Sequence, residues 1–292
     1  MRNLRAQLLE LIRRTSAELP EDVFRAVDVG TNAEQTGTTG AYAMDIITKN
    51  IDLAKRKSQP LCQDTGSILF FVKVPVGFDQ RVFETAAKAA VADATAKGYL
   101  RQNSVDSITG KNSGNNLGPG SPTLHFHQHR GARLEVRLIL KGGGCENVGA
   151  QYSLPDTRLD ANRDLDGVRK AILDAVVQAQ GKGCSPGILG VCIGGDRATG
   201  YLHSKEQLLR TLEDVNTDPT LSALERDIVQ TANKLGIGPM GFGGKTTLLG
   251  CKIGALNRLP ASFFVSISYM CWAYRRQGFL LNDTGKIVKW LY

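Results

Sequence analysis

Cys62 heads the run Leu61-Cys62-Gln63-Asp64-Thr65-Gly66, between a helical stretch and a strand-like one. The cysteine is a candidate metal ligand, an acid stands two residues on, and the glycine permits an unusual turn. Cys184, in Lys182-Gly183-Cys184-Ser185-Pro186, lies at a second loop-to-strand junction, and Cys271 follows a third apolar strand. Three cysteines at strand ends, drawn from distant segments, could coordinate three irons of a cubane and leave the fourth iron open to substrate. Taken alone, each is more readily a core thiol, because an unbridged cysteine packs as a small hydrophobe.

Other clusters carry weaker chemistry. Gly243-Gly244-Lys245-Thr246 has the tail of a phosphate-binding loop, but the position that must be glycine is Pro239. The run also follows a helix rather than a strand, so a glycine turn that admits a close backbone approach is the better reading. His125, His127 and His129 alternate, and one strand face could offer three imidazoles to zinc. No carboxylate is placed to orient the rings, which favours a solvated edge strand. His203, the only other histidine, falls at an expected helix start. No Gly-x-Ser-x-Gly elbow supports a serine hydrolase. No Cys-x-x-Cys pair supports a zinc ribbon, a thioredoxin-like site or a ferredoxin-type cluster.

The elements that must position these residues alternate between helix and strand. Residues 1–57 read as helices, the first with an apolar face at Leu4, Leu8, Leu11 and Ile12. The second is opened by Glu21-Asp22, and the third runs from Thr38 to Lys55. Ser67 to Val76 reads as a strand and Arg81 to Lys97 as a helix with an Ala-rich face. Residues 110–122 form a loop. Thr123 to Gln128 and Leu134 to Leu140, joined through Arg130-Gly131-Ala132, read as a hairpin that Gly142-Gly143-Gly144 ends. Helices are expected over Asp166 to Gln180, Lys205 to Leu212 and Leu221 to Leu235. Strands are expected over Gly187 to Ile193, Thr246 to Leu256 and Phe263 to Ser268. The fold class is mixed α/β, a sheet with flanking helices.

The chain has 292 residues, enough for one large domain or two ordinary ones, with 42% apolar and 22% charged residues as in ordinary globular proteins. Ala261 to Tyr274 is the longest largely apolar stretch, too short for a membrane span and broken by Ser262, Ser266 and Ser268. Arg2, Arg5, Glu10, Arg13 and Arg14 interrupt the apolar runs at the N-terminus, unlike a secretory signal. Six cysteines without such a signal point to reduced thiols and a cytoplasmic location. The net charge is +8, and residues 252–292 hold six basic residues against Asp283. A solvated basic surface is the plain reading, and attraction of an anionic substrate or acidic partner is another. Nucleic-acid binding lacks a basic run with interleaved aromatics.

Five segments in order resemble the α region of the class I (iron–sulfur) fumarate hydratase and L(+)-tartrate dehydratase family. They are Leu61-Cys62-Gln63-Asp64-Thr65-Gly66, Lys141-Gly142-Gly143-Gly144-Cys145, Cys184-Ser185-Pro186 with Gly190 to Gly195, Leu235-Gly236-Ile237-Gly238-Pro239, and Cys271-Trp272-Ala273-Tyr274-Arg275-Arg276. The resemblance implies a single iron–sulfur hydro-lyase α domain over residues 1–292. It implies Cys62, Cys184 and Cys271 as ligands of a [4Fe-4S] cluster, and Asp64 as a proton-transfer residue, acid in dehydration; a turn-capping carboxylate is the plain alternative. It also implies that Gln63 and Arg101 contact substrate carboxylates and that Gly143 and Gly144 let backbone approach the ligand.

Members of this family need a β region as well, and 21 residues follow Cys271. The expectation is therefore an α subunit in a hetero-oligomer, whose site a separate β subunit completes, with a small dicarboxylate as substrate and no nucleic acid or membrane. One departure stands out: members carry histidine 12 residues before the third cluster cysteine, where this chain has Leu259. Cys145 and the Cys271-Trp272-Ala273 run with its paired arginines lean toward L(+)-tartrate, dehydrated to oxaloacetate. Fumarate/malate is the alternative, and a non-catalytic iron–sulfur relative is the reading that Leu259 invites.

Overall fold

A strand with an unbroken buried run takes an interior place in the first sheet, and that placement sets its topology. The computed structural model describes residues 3–282 and 284–292; Arg2 and Asp283, which entered the readings of the termini and the charge, lie outside the described residues. The first half holds α1 (Leu4–Ala17), α2 (Glu21–Ala33), α3 (Thr39–Lys57), β1 (Ser67–Pro75), α4 (Gln80–Ala96), β2 (Thr123–His129), β3 (Leu134–Lys141) and α5 (Gly143–Asn147). The second holds β4 (Ala150–Ser153), α6 (Leu165–Ala179), β5 (Gly187–Gly194), α7 (Arg197–Gln207), α8 (Pro219–Asn233), β6 (Leu248–Leu256), β7 (Phe264–Met270), β8 (Arg276–Leu281) and β9 (Ile287–Trp290). Helices and two sheets make the class mixed α/β, as the pattern indicates.

The chain divides into two compact units. The first comprises Met1–Glu21, Lys49–Gly143 and Ala273–Tyr292. Its sheet has the order β2-β1-β3-β8-β9. The expected hairpin between β2 and β3 does not form: β1 lies between them, parallel to β2 and antiparallel to β3. The reason is burial. Ile68 through Val72 of β1 are buried without a break, so both faces need cover and the strand must sit inside the sheet. Residues of β2 are only half-buried or exposed, so β2 takes the edge. Helices α1 and α4 cover one face: Leu8, Leu11 and Ile12 pack with Phe83, Ala87 and Val91 against Phe70, Val72, Leu138 and Phe279.

The second unit comprises Asp22–Thr48 and Gly144–Trp272, with a sheet in the order β4-β7-β5-β6. β5 is buried at every position, as its apolar run requires, and pairs parallel with β6 and antiparallel with β7. The helix expected over Lys205 to Leu212 instead occupies Arg197–Gln207. Asp196 starts it: its carboxylate takes the amides of Ala198 and Thr199, and the Thr199 side chain answers to Asp196. His203 therefore lies near the end of that helix, held by Glu206 at 3.0 Å and Gln207 at 3.0 Å.

Candidate functional site

The Cys62–Gly66 turn closes on the end of β3. Gly66 has φ +74°, and a Cβ there would collide with the Lys141 carbonyl, so the turn needs glycine. The Asp64 amide donates to Cys62 Sγ at 3.4 Å. An amide hydrogen on sulfur suits a thiolate, because such bonds tune metal-bound sulfurs. The Asp64 carboxylate accepts three hydrogen bonds. Gly66 N donates to Oδ1 at 2.8 Å, Asn103 Nδ2 to the same oxygen at 2.6 Å, and Gly143 N to Oδ2 at 2.6 Å. Arg275 Nη1 donates to the Asp64 carbonyl at 2.6 Å. The fixed carboxylate is thus an acceptor aimed by three partners, which goes beyond the capping of its own turn.

Asn103 is itself held. Asn116, buried and at φ +61°, accepts the amides of Asn103 and Ser104 on Oδ1 at 2.7 and 3.1 Å. Its Nδ2 donates to the Arg101 carbonyl at 2.8 Å and to Thr95 Oγ1 at 2.9 Å. Thr65 Oγ1 also donates to the Arg101 carbonyl. This clamp fixes the Arg101 backbone while its guanidinium, like the Gln63 side chain, stays exposed. Gly66, Ser67, Asn103, Ser104, Ser121 and Gly143 line a cavity of about 460 Å³, the size of small-ligand sites. The structure therefore brings Asp64, Gly143 and Asn103 together. Sequence reading missed Asn103 and Asn116; the polar, glycine-rich loop around them was the available signal.

In the second unit, Cys184 stands at φ +56°, a left-handed conformation that a cysteine adopts only under constraint. The Trp272 amide reaches the Cys184 carbonyl at 3.4 Å, which sets Cys271 and Cys184 on neighbouring backbone. Burial first, then the charges of Cys271, Cys145 and Cys184, pushes the Tyr269 phenol far above its usual range. Cys145 also donates to the Gly183 carbonyl at 3.9 Å, and Gly144 approaches Lys182. Cys192 and Cys251 differ. Burial in β5 and β6 pushes Cys192 up to about 12 and Cys251 higher still, so both stay neutral thiols.

These features test the fit of an iron–sulfur group. None of the six cysteines is in a disulfide. Among the described residues no three His, Cys, Asp or Glu side chains gather round a single metal ion, the histidines of β2 included. A cubane asks for something else, since each cysteine binds its own iron. The donor chemistry fits: Cys62 and Cys184 are half-exposed, Cys62 sulfur accepts an amide hydrogen, and Cys271 follows β7 on backbone next to Cys184.

Two further readings resolve. The Gly243–Thr246 loop holds the protein's own Glu34, whose carboxylate takes the amides of Lys245 and Thr246 at 2.8–3.1 Å. The basic C-terminal segment is not simply a solvated surface, because Lys252, Arg275 and Arg276 are buried. Lys252 is neutralised by Asp214 at 2.8 Å. Leu259 lies exposed in the loop after β6.

The chain is thus mixed α/β, with an aimed carboxylate beside Cys62 in the first unit and Cys184 and Cys271 on neighbouring backbone in the second. The chain belongs to the fumarate hydratase (fumerase) family, whose model matches residues 5–279. A protein of Geobacillus stearothermophilus provisionally named a class I fumarate hydratase is 54% identical across the whole chain. The chain spans 58% of that relative's length. The L(+)-tartrate dehydratase subunit alpha of Escherichia coli K12 is 31% identical, over 91% of this chain and 87% of its own. A Methanocaldococcus jannaschii protein provisionally given the same subunit name is also 31% identical, over 92% of this chain and 94% of its own. By name these relatives are hydro-lyases. Among the described residues no helix is long and apolar enough to cross a membrane.

Proposed function

We propose that this chain is the α part of a [4Fe-4S]-dependent hydro-lyase acting on a C4 dicarboxylate. The observation that carries the reading is the Asp64 carboxylate, aimed by three donors at the rim of a ligand-sized cavity and bonded through its own amide to Cys62. Cys62, Cys184 and Cys271 are the proposed cluster ligands. Residues 1–292 are read as one iron–sulfur catalytic domain, a reading that the family model supports by matching residues 5–279. The cluster, when bound, supplies a Lewis acid for a hydroxyl and its adjacent carboxylate.

The protein's own groups do the rest. Gln63 and the Arg101 guanidinium hold the substrate carboxylates, with arginine's two-point geometry fixing orientation. The Gly143 and Gly144 backbone lets the ligand approach closely. Asp64 moves the proton of the oxygen that leaves or arrives. A group that is acid in dehydration is base in hydration, and the carboxylate accepting three hydrogens is the form from which hydration starts. A separate β subunit completes the site, a reading that the relatives named subunit alpha support. The six unbridged thiols fit a reducing, cytoplasmic setting.

Fumarate/malate is the favoured pair, since the 54% relative carries the fumarate name across this whole chain. Tartrate is the second reading, favoured by relatives whose own length the chain nearly fills. The test is anaerobic reconstitution with iron and sulfide, addition of the β subunit, and assay on fumarate, malate and L(+)-tartrate. Serine at Cys62, Cys184 or Cys271 should abolish cluster uptake, whereas serine at Cys192 or Cys251 should leave it. A loaded protein that turns over none of the three acids would establish the non-catalytic reading that Leu259 invites.

A further inference from the structure

Arg275 presents a charge problem that its surroundings do not solve. Its side chain is 1% exposed. Of five possible donated hydrogen bonds it makes one, from Nη1 to the Asp64 carbonyl at 2.6 Å. Its Nε is buried with no partner. The neighbouring acid offers its carbonyl and not its charge, because the Asp64 carboxylate is turned to Gly66, Asn103 and Gly143. No carboxylate of the described residues forms an ion pair with Arg275. A buried guanidinium in that state is costly unless an anion completes it.

The charge is not isolated. Arg276 and Lys141 are fully buried on the same sheet, Arg276 paired in register with Ile139 and lying over the Tyr274 and Tyr292 rings. The Leu140 amide donates to the Arg275 carbonyl, which fastens this cationic end to β3. Arg275 itself reaches the turn that carries Cys62, through the Asp64 carbonyl. A cubane held by three thiolates is a net anion, and its reduced form more so.

We propose that Arg275 is the built-in counter-charge of that anionic centre, holding the Cys62–Asp64 turn by its carbonyl and raising the cluster's reduction potential. The proposal rests on the iron–sulfur reading above. Its chemistry, a guanidinium for an anion, could also serve a substrate carboxylate, and the experiment separates the two.

The full chain and its Arg275→Lys, Arg275→Gln and Arg275→Met variants are reconstituted anaerobically without substrate. Iron and sulfide content, far-ultraviolet dichroism and a redox titration followed by electron paramagnetic resonance are then measured. Removing the positive charge disfavours the form with the extra electron. Arg275→Gln should lower the reduced-to-oxidised ratio at fixed potential at least tenfold, a fall of about 59 mV for one electron. Arg275→Lys should keep most of the native potential, since it keeps the charge and loses the fork. Arg275→Met covers the case in which glutamine misfolds. Folded, loaded variants with unchanged potential overturn the proposal alone; if the same variants, assayed after addition of the β subunit and substrate, then show a raised KM, the arginine serves the substrate instead. A native chain that takes up no iron and sulfide overturns both this proposal and the iron–sulfur reading beneath it.

Discussion

Asp64 owes its direction to Asn103, and that dependence can be measured. Asn103→Ala removes one of three donors while Gly66 and Gly143 keep the carboxylate in its turn. We expect kcat for hydration to fall on the order of 10²-fold with a smaller change in KM, because a misaimed proton-transfer group typically costs that much. Steady-state assays of the loaded enzyme would check it, and an unchanged kcat would remove Asn103 from the site. The cysteines sort by the same local logic. Burial holds Cys192 up to about 12, so its thiolate is scarce at pH 8 and iodoacetamide should leave it unmodified. In the metal-depleted protein, half-exposed Cys62 and Cys184 should be alkylated first, as peptide mass mapping would reveal.

At the scale of elements, stability sits in the layer of α1 and α4 on the first sheet. Phe83 is fully buried and meets Phe70 edge-on at 6.0 Å and Phe126 at 5.7 Å. Phe83→Ala should cost about 3–5 kcal/mol, read from urea midpoints. Asp196→Ala, which removes the cap of α7, should cost about 1 kcal/mol by the same measurement. Element types were largely legible from periodicity, which read residues 1–57 as helical and placed α3, α4, α6, α8, β1 and β5–β7 close to their observed bounds. Partnership was not legible. Adjacent strands with a glycine turn looked like a hairpin, but the pairing was decided by which strand needed two covered faces, a property of β1 rather than of the turn. The start of α7 was missed because its cap is Asp196-x-x-Thr199, hidden behind a glycine pair. In the site, Cys62 and Asp64 were legible as a local run. Asn103, Asn116 and Arg275 were not, since each acts through a partner far along the chain.

For the whole molecule, the +8 charge acquires a location: part of it is internal, at the sheet end where Arg275 and Arg276 are buried. The large core of the first unit contains no cysteine. Chelating the iron should therefore abolish activity while far-ultraviolet dichroism changes little, and a collapse of helical signal on chelation would contradict that separation. The glycine loop that ends at Thr246 has a consequence of another kind. Its amides are already engaged by Glu34, and Gly244 is bare where a Cβ would strike that carboxylate. A nucleotide tail would have to evict a tethered competitor of like charge, so any response of this protein to the energy state of its cell must enter by some other door.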